Sequence, residues 1–287
     1  DEEQLSSEIA ELNPADVAGY QRFLEYAEGV YEEGYVKLGH VPFLDFKSMM
    51  KAAPALAKKQ AWRSVYSMVS SYVENEKLRE ALSFHTLLVG GNPMKTSSIY
   101  ALIHKLEKDG GVWWAKGGTN RLIAGMVRHF ERLGGTIRLG DPVTGIEVDD
   151  KRAKSVRTES GFVQGFDAVA SNADIMHSYR DLLGRSQRGW SMGRRLKRKS
   201  FSPGLFVVHF GLEGTWPGIA HHMILFGPRY KGLLDDIYQH GVLPEDFSIY
   251  LHHPSKSDPS MAPPGMSTFY ALVPVAHMGK LPVDWDE

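Results

Sequence analysis

Two short stretches have residue types that suit a ligand. Gly117-Gly118-Thr119-Asn120 opens an amphipathic helical pattern, and Ser171-Asn172-Ala173-Asp174 stands where the apolar run "FDAVA" gives way to another helix. Both are junctions where free backbone N–H groups and small side chains leave room for an anion or a polar ring. At the first, a plain glycine turn with a threonine cap accounts for the same residues, and both readings stand. Neither is a dinucleotide loop, because Gly110-Gly111 and Gly117-Gly118 are separated by Val-Trp-Trp-Ala-Lys and no GxGxxG occurs. On this evidence the chain alone does not cradle a pyrophosphate. The 12 histidines include the pairs His221-His222 and His252-His253. Neighbours on a strand face opposite ways, so neither pair is expected to chelate as a unit, no HExxH is present, and no metal site is expected. With no cysteine and no GxSxG elbow, a thiol or serine nucleophile has no anchor, and no catalytic residue is assigned.

The elements that must position these residues fall into three stretches. The chain has 287 residues, of which 43% are hydrophobic and 23% charged, enough for one large domain or two with a real core. The net charge of −1 argues against nucleic acid as the main partner. No apolar run is long enough to span a bilayer. The polar start "DEEQLSSEIAELNPADV" is not a signal peptide, and with the abrupt end "KLPVDWDE" it suggests an internal piece of a longer protein.

Residues 1–110 read as helical. Asn13-Pro14-Ala15-Asp16 is a start signal, with Asn as N-cap, Pro at the first helical position and an acid in the first turn. Val17, Tyr20, Leu24, Ala27, Tyr31, Tyr35 and Leu38 then form an apolar stripe. Further helices are predicted around Asp45–Lys59, near Gln60–Tyr72, over "LREALSFHTLLVGG" and over "TSSIYALIHKLEKDGG". Phe84, His85, Leu87, Leu88, Met94 and Tyr100 suit a core and equally the wall of a long apolar tunnel.

The character changes after residue 110. "TNRLIAGMVRHFERLGG" predicts a helix whose Leu122, Ile123, Met126, Val127, Phe130 and Leu133 share a face. "TIRL", "VTGIEV", "KSVRT" and "FVQGFDAVAS" predict short strands joined by tight turns, with Ala168-Val169-Ala170 buried on both faces. Beyond residue 175, "LFVVHFGLEG", "FSIYLHHP" and "STFYALVPVA" predict an antiparallel sheet, with a helix at "KGLLDDIYQHG". Two segments pair basic with apolar residues. "RSQRGWSMGRRLKRK" (185–199) holds seven basic residues and no acid, and "FKSMMKAAPALAKKQAWRS" (46–64) mixes Lys and Arg with Met, Leu and Trp. Each reads as a solvated face or as a surface that meets anionic lipid.

Four blocks, "AWRSVYSMVSSYVENEKLREALSFHTLLVGGNP", "GVWWAKGGTNRLIAGM", "VASNADIMHSYRDLL" and "HHMILFGPRYKGLLDDIY", together resemble the bacterial phytoene desaturase family of carotenoid biosynthesis, along essentially the whole chain. The resemblance implies a flavoprotein of the amine-oxidase-like superfamily that binds FAD non-covalently. Such an enzyme removes hydrogen from saturated carbons flanking a polyene, at the cytoplasmic side of a membrane as a peripheral protein. Family members begin with a βαβ unit carrying the glycine loop and end with a second FAD-contacting segment; neither is found here.

The implied fold class is α/β, as α+β in this piece. It comprises part of a Rossmann-like FAD-binding domain, a substrate domain with a mixed or antiparallel sheet, and a helical membrane-facing subdomain. The implied domains are a helical substrate or membrane region (1–112), part of the FAD domain (113–174) and a substrate-binding domain (175–287). By resemblance Gly117 and Gly118 lie at the flavin side, the Val143 backbone meets the adenine, and Ser171 and Asn172 approach the cofactor. The implied partners are a hydrophobic polyene substrate and the membrane surface; no oligomeric state is assigned. Lys47 and Lys51 match the family loosely, and the catalytic base stays unassigned. A carotenoid isomerase, a ketolase or a retinol-saturase-like enzyme keeps the fold with another reaction, and a non-catalytic prenyl-lipid carrier keeps the scaffold alone.

Overall fold

The computed structural model describes residues 2–184, 186–281 and 283–284. Asp1, Arg185 at the head of the basic stretch, and part of "KLPVDWDE" lie outside the described residues. The helical region contains α1 (Glu2–Leu12), α2 (Asp16–Tyr31), α3 (Phe46–Lys58), α4 (Val65–Val69), α5 (Glu76–Ser83) and α6 (Leu102–Gly110). There follow α7 (Thr119–Arg132), the strands β1 (Val143–Asp149), β2 (Arg152–Thr158) and β3 (Val163–Gly165), and then α8 (Ile175–His177) and α9 (Gln187–Leu196). The remainder carries β4 (Gly204–Glu213), β5 (His222–Leu225), α10 (Tyr230–Asp235), β6 (Ile249–His252) and β7 (Met266–Val275). Two compact units result, Asp1–Gly118 with Ser202–Glu287, and Thr119–Phe201.

The first unit has a packed helical core. Tyr20, Phe23, Leu24 and Val30 of α2 meet Val65, Val69 and Val73 and the Leu78 and Leu82 side chains of α5. Their spacing of three and four puts them on one stripe. Gly19 sits on that stripe where α2 crosses another segment so closely that a Cβ would lie 2.0 Å from the Tyr72 carbonyl oxygen. The predicted start of α2 is shifted. The Asn13 side chain accepts from the Ala15 N–H, at 3.3 Å, and the helix begins at Asp16. Asp16 is buried, and its two carboxylate oxygens take the Glu74 and Asn75 N–H groups at 2.7 and 2.8 Å. A long-range need outranks a dipole preference here, because a buried carboxylate must be hydrogen-bonded. The stripe does not run on to Tyr35, which is exposed, because α2 passes into a π turn at Glu32–Lys37 that changes the phase. The helix expected over Gln60–Tyr72 shortens to α4, with Gln60 in left-handed backbone (φ 52°).

The same unit holds the four-stranded antiparallel sheet in the order β4-β7-β6-β5. β5 is a strand that the sequence reading did not separate from its surroundings. It pairs with β6 so that His222 faces His252 across the ladder, and β6 pairs with β7. The proline-rich stretch after β6 is a loop with two short 3₁₀ turns, Pro254–Lys256 and Pro259–Met261.

In the second unit β1, β2 and β3 form an antiparallel sheet in sequence order. Asp150 and Lys151 make the predicted tight turn with left-handed backbone. Two predicted strands are corrected. "TIRL" (136–139) and Ala168-Val169-Ala170 are irregular, and Ala168 and Ala170 are exposed rather than buried on both faces. A strand exists by pairing, and no strand among the described residues pairs with either segment. Helix α7 forms as predicted, yet Leu122 and Met126 on its apolar face are 57% and 65% exposed, and Leu133, just past its end, is 73% exposed.

Candidate functional site

The Gly117-Gly118 turn is held by a buried carboxylate. Both glycines have left-handed backbone, with φ 81° and 83°, which residues with a Cβ rarely adopt. The Gly117 N–H donates to Asp258 Oδ2 at 2.5 Å, and the Trp114 indole N–H donates to the same oxygen at 3.3 Å. The Ser260 hydroxyl and N–H donate to Asp258 Oδ1 at 2.6 and 3.1 Å. Asp258 is 4% exposed. The Gly117 N–H, then the Ser260 hydroxyl, hold its pKa down to about 2, so it is an anion at any physiological pH. The Gly118 N–H is taken by the Ala115 carbonyl at 2.8 Å. The turn is thus built without a ligand, and its own amides are satisfied. What it offers is an approach without Cβ atoms; at Gly118 a Cβ would meet the Met261 methyl at 3.3 Å.

A histidine cluster stands beside Trp114, whose ring lies 5.1 Å from His221 and 5.4 Å from His252. The rings of His221 and His222 are 4.4 Å apart, those of His221 and His252 4.8 Å, and those of His222 and His252 5.2 Å. The alternation argument holds for His222, which lies in β5, and fails for His221, which stands in the bend before it. The third ring comes from the other sequence pair through the β5–β6 ladder. Of these two strands the sequence marked only "FSIYLHHP", so the cluster became visible through the pairing with β5. Burial, then the neighbouring imidazoles, pushes the His252 pKa down to about 4, and burial lowers His221 and His222 as well. All three rings are therefore held toward the neutral form.

The remaining predicted residues lie in the second unit. Val143 opens β1 opposite Thr158 and is 38% exposed. Ser171 and Asn172 are exposed in the irregular segment before α8, with the Ser171 hydroxyl 2.9 Å from that of Ser178. Asp174, next along, caps α8 by accepting the Met176 and His177 N–H groups at 2.8 and 3.1 Å. Among the described residues no hydrogen bond joins Val143 to Ser171 or Asn172. A cavity of about 700 Å³ in the helical region is lined by Tyr20, Leu78, Leu82, Phe84, His85 and His104. Of the side chains that suited core or tunnel, Phe84 and His85 line it, while Leu88 and Tyr100 are exposed.

The sequence model of a family described as flavin containing amine oxidoreductase matches residues 8–282. The chain is 56% identical to a lycopene-forming phytoene desaturase of Paracoccus sp., over 99% of this chain and 56% of that protein. It is 51% identical to a lycopene-forming phytoene desaturase of Pseudescherichia vulneris, over 99% of this chain and 58% of that one. It is 42% identical to a neurosporene-forming phytoene desaturase of Cereibacter sphaeroides, over 99% and 55%. The chain thus spans a little over half the length of these relatives. Among solved structures, an oxidoreductase from Methanosarcina mazei superposes with a TM-score of 0.57 at 19% identity, over 82% of this chain and 53% of that one. That likeness concerns the fold.

Proposed function

Because the chain belongs to the flavin containing amine oxidoreductase family, we propose that it is the central part of an FAD-dependent carotenoid desaturase. The observation that carries this is 56% identity to a lycopene-forming phytoene desaturase, sustained over 99% of the chain. The substrate is a long hydrophobic polyene precursor such as phytoene, and the reaction removes hydrogen from a CH–CH bond beside the conjugated system.

The residues present fit the flavin at one side. Gly117 and Gly118 leave the backbone open to a flat ring, and Asp258 fixes the turn beforehand, so no ordering is required when the ligand arrives. Val143 would meet the adenine through its backbone, and Ser171 and Asn172 would approach the cofactor from the irregular segment before α8. Bound FAD supplies the hydride acceptor, which no side chain can be. The chain's own part is to orient the substrate and keep water away from it. The exposed apolar face of α7 and the unpaired segment 168–170 are the natural contacts for the portion of the longer relatives that this chain does not match.

The proposed division is a helical substrate and membrane region (1–112), part of the FAD domain (113–174) and a substrate domain (175–287). The protein sits at the cytoplasmic side of the membrane as a peripheral protein. Phe46, Met50 and Trp62 in and after α3 are 78%, 53% and 72% exposed amid basic residues, and Trp190 on α9 is 59% exposed with the Arg194 guanidinium 4.8 Å above its ring. These features support a lipid-facing role. No described helix is long and apolar enough to cross a bilayer. The test is to supply the purified full-length protein and FAD with phytoene in liposomes. Coloured products with a longer conjugated system are expected; an unchanged chromophore with flavin bound would overturn the reaction assigned.

A further inference from the structure

We propose that His221, His222 and His252 form a three-imidazole site for a divalent transition-metal ion of the zinc class. One ligand nitrogen from each ring lies within 4.8 Å of the other two. Each ring already uses its other nitrogen. His221 Nδ1 is 2.7 Å from the Ser257 hydroxyl, His222 Nδ1 is 2.6 Å from the Tyr250 hydroxyl, and His252 Nδ1 is 3.2 Å from the same hydroxyl. That makes Nε2 the nitrogen each ring would turn to a metal. Hydrogen bonding of the outer nitrogen is how metal-binding histidines are oriented and their tautomer fixed. His221 Nε2 is buried and has no hydrogen-bond partner among the described residues, which costs free energy unless something binds it.

The surroundings suit a cation. The backbone around the cluster is tied down, since the His253 N–H donates to the His221 carbonyl at 2.8 Å and β5 pairs with β6 at His222 and His252. Three neutral nitrogens without a carboxylate or thiolate select zinc, nickel or copper over calcium and magnesium. In tetrahedral zinc coordination, nitrogens about 2.0–2.1 Å from the metal stand about 3.3 Å from one another. Binding therefore draws the ligand nitrogens together by up to about 1.5 Å, which side-chain torsions can supply.

This site stands apart from the flavin reading, and its test reads metal rather than flavin. Untagged full-length protein, stripped with a chelator, is titrated with Co²⁺ alone. One equivalent producing the visible d–d bands of low-coordinate cobalt, displaced by Zn²⁺, is expected. His222 is exposed, so His222→Ala leaves the fold intact and weakens Zn²⁺ binding at least tenfold, and Tyr250→Phe, which removes the hydroxyl shared by two rings, weakens it about tenfold. His40→Ala, far along the sequence and outside the cluster, leaves affinity unchanged. Absence of the d–d bands, or equal Zn²⁺ affinity in wild type and His222→Ala, would overturn the site, whatever the flavin content of the preparation.

Discussion

The α2 core of the first unit and helix α7 of the second begin from the same kind of sequence and end differently. Both present apolar residues at spacings of three and four. In α2, Phe23, Ala27 and Val30 are fully buried, whereas in α7 Leu122, Ile123 and Met126 stay more than half exposed. The difference is not in the helices. α2 finds α4, α5 and α6 within its own unit, while among the described residues no residue of α7 is buried. A periodic apolar face states that a partner is required and says nothing about where the partner lies. In a chain that spans 56% of its Paracoccus relative, that distinction separates what is finished here from what is left open.

The largest expected effect is in the finished region. Phe23→Ala empties a fully packed position and is expected to cost about 3–5 kcal/mol, read as a drop in the urea midpoint at constant slope. Gly19→Ala is expected to be nearly as damaging, since its methyl must displace the Tyr72 carbonyl rather than a flexible side chain. An unchanged midpoint for either would mean that the helical region is not the cooperative core.

Next is an acid sensitivity of the same region. His104 accepts or donates a hydrogen bond with the Tyr20 hydroxyl at 3.0 Å, and burial pushes its pKa down to about 4 from 6.5. The neutral ring is favoured in the folded state. Its contribution is complete above pH 6.5 and is lost as pH falls from 6.5 to about 4. The loss is on the order of 3 kcal/mol for a shift of this size. His104→Gln keeps a polar partner for Tyr20 without a titrating group, and should flatten the urea midpoint between neutral pH and pH 4.5. Asp258 does not titrate in this window, because its carboxylate persists down to about pH 2. Equal acid sensitivity in wild type and His104→Gln would assign the effect elsewhere, His252 being the next candidate.

How much of this was legible follows the same divide. Local signals were read well: α7 with its glycine stop, the tight turn at Asp150-Lys151, the β1–β2 hairpin, and the long strands β4 and β7. Signals that depend on a distant partner were not. Ala168-Val169-Ala170 has the composition of a central strand but no neighbour to pair with among the described residues. Asp16 is the first-turn acid that the sequence predicts, but its second role, serving two amides almost sixty residues away, left no local sign. The glycine turn was visible as a turn, but Asp258, which holds it, lies 141 residues on, in a proline-rich loop that gave no sign of a functional carboxylate. The histidine cluster required the β5–β6 pairing, which periodicity alone does not supply.

Asp258→Asn tests the turn itself. The substitution keeps the shape and removes the charge, so the Gly117 and Trp114 donors lose their anionic acceptor. With secondary structure unchanged, full-length protein is expected to retain less flavin after gel filtration, whereas Ser255→Ala elsewhere in the loop is not a substitute, because the half-buried Ser255 hydroxyl accepts the Thr268 N–H instead. Full flavin retention in Asp258→Asn would show that the turn does not need its carboxylate.

The smallest expected effect is the most informative about the comparison. In the 287-residue chain, Leu122→Ala removes a side chain that is already 57% exposed, so its stability should stay within about 0.5 kcal/mol of the parent. In the full-length protein the same substitution should cost about 2 kcal/mol or more if the missing portion covers α7, since a buried leucine then leaves a cavity. The two numbers together measure a contact that neither chain reveals alone. Equal small effects in both would mean that the α7 stripe stays open in the whole protein and serves another partner, and the account of α7 as half of an interface completed by the rest of the polypeptide would have to be abandoned.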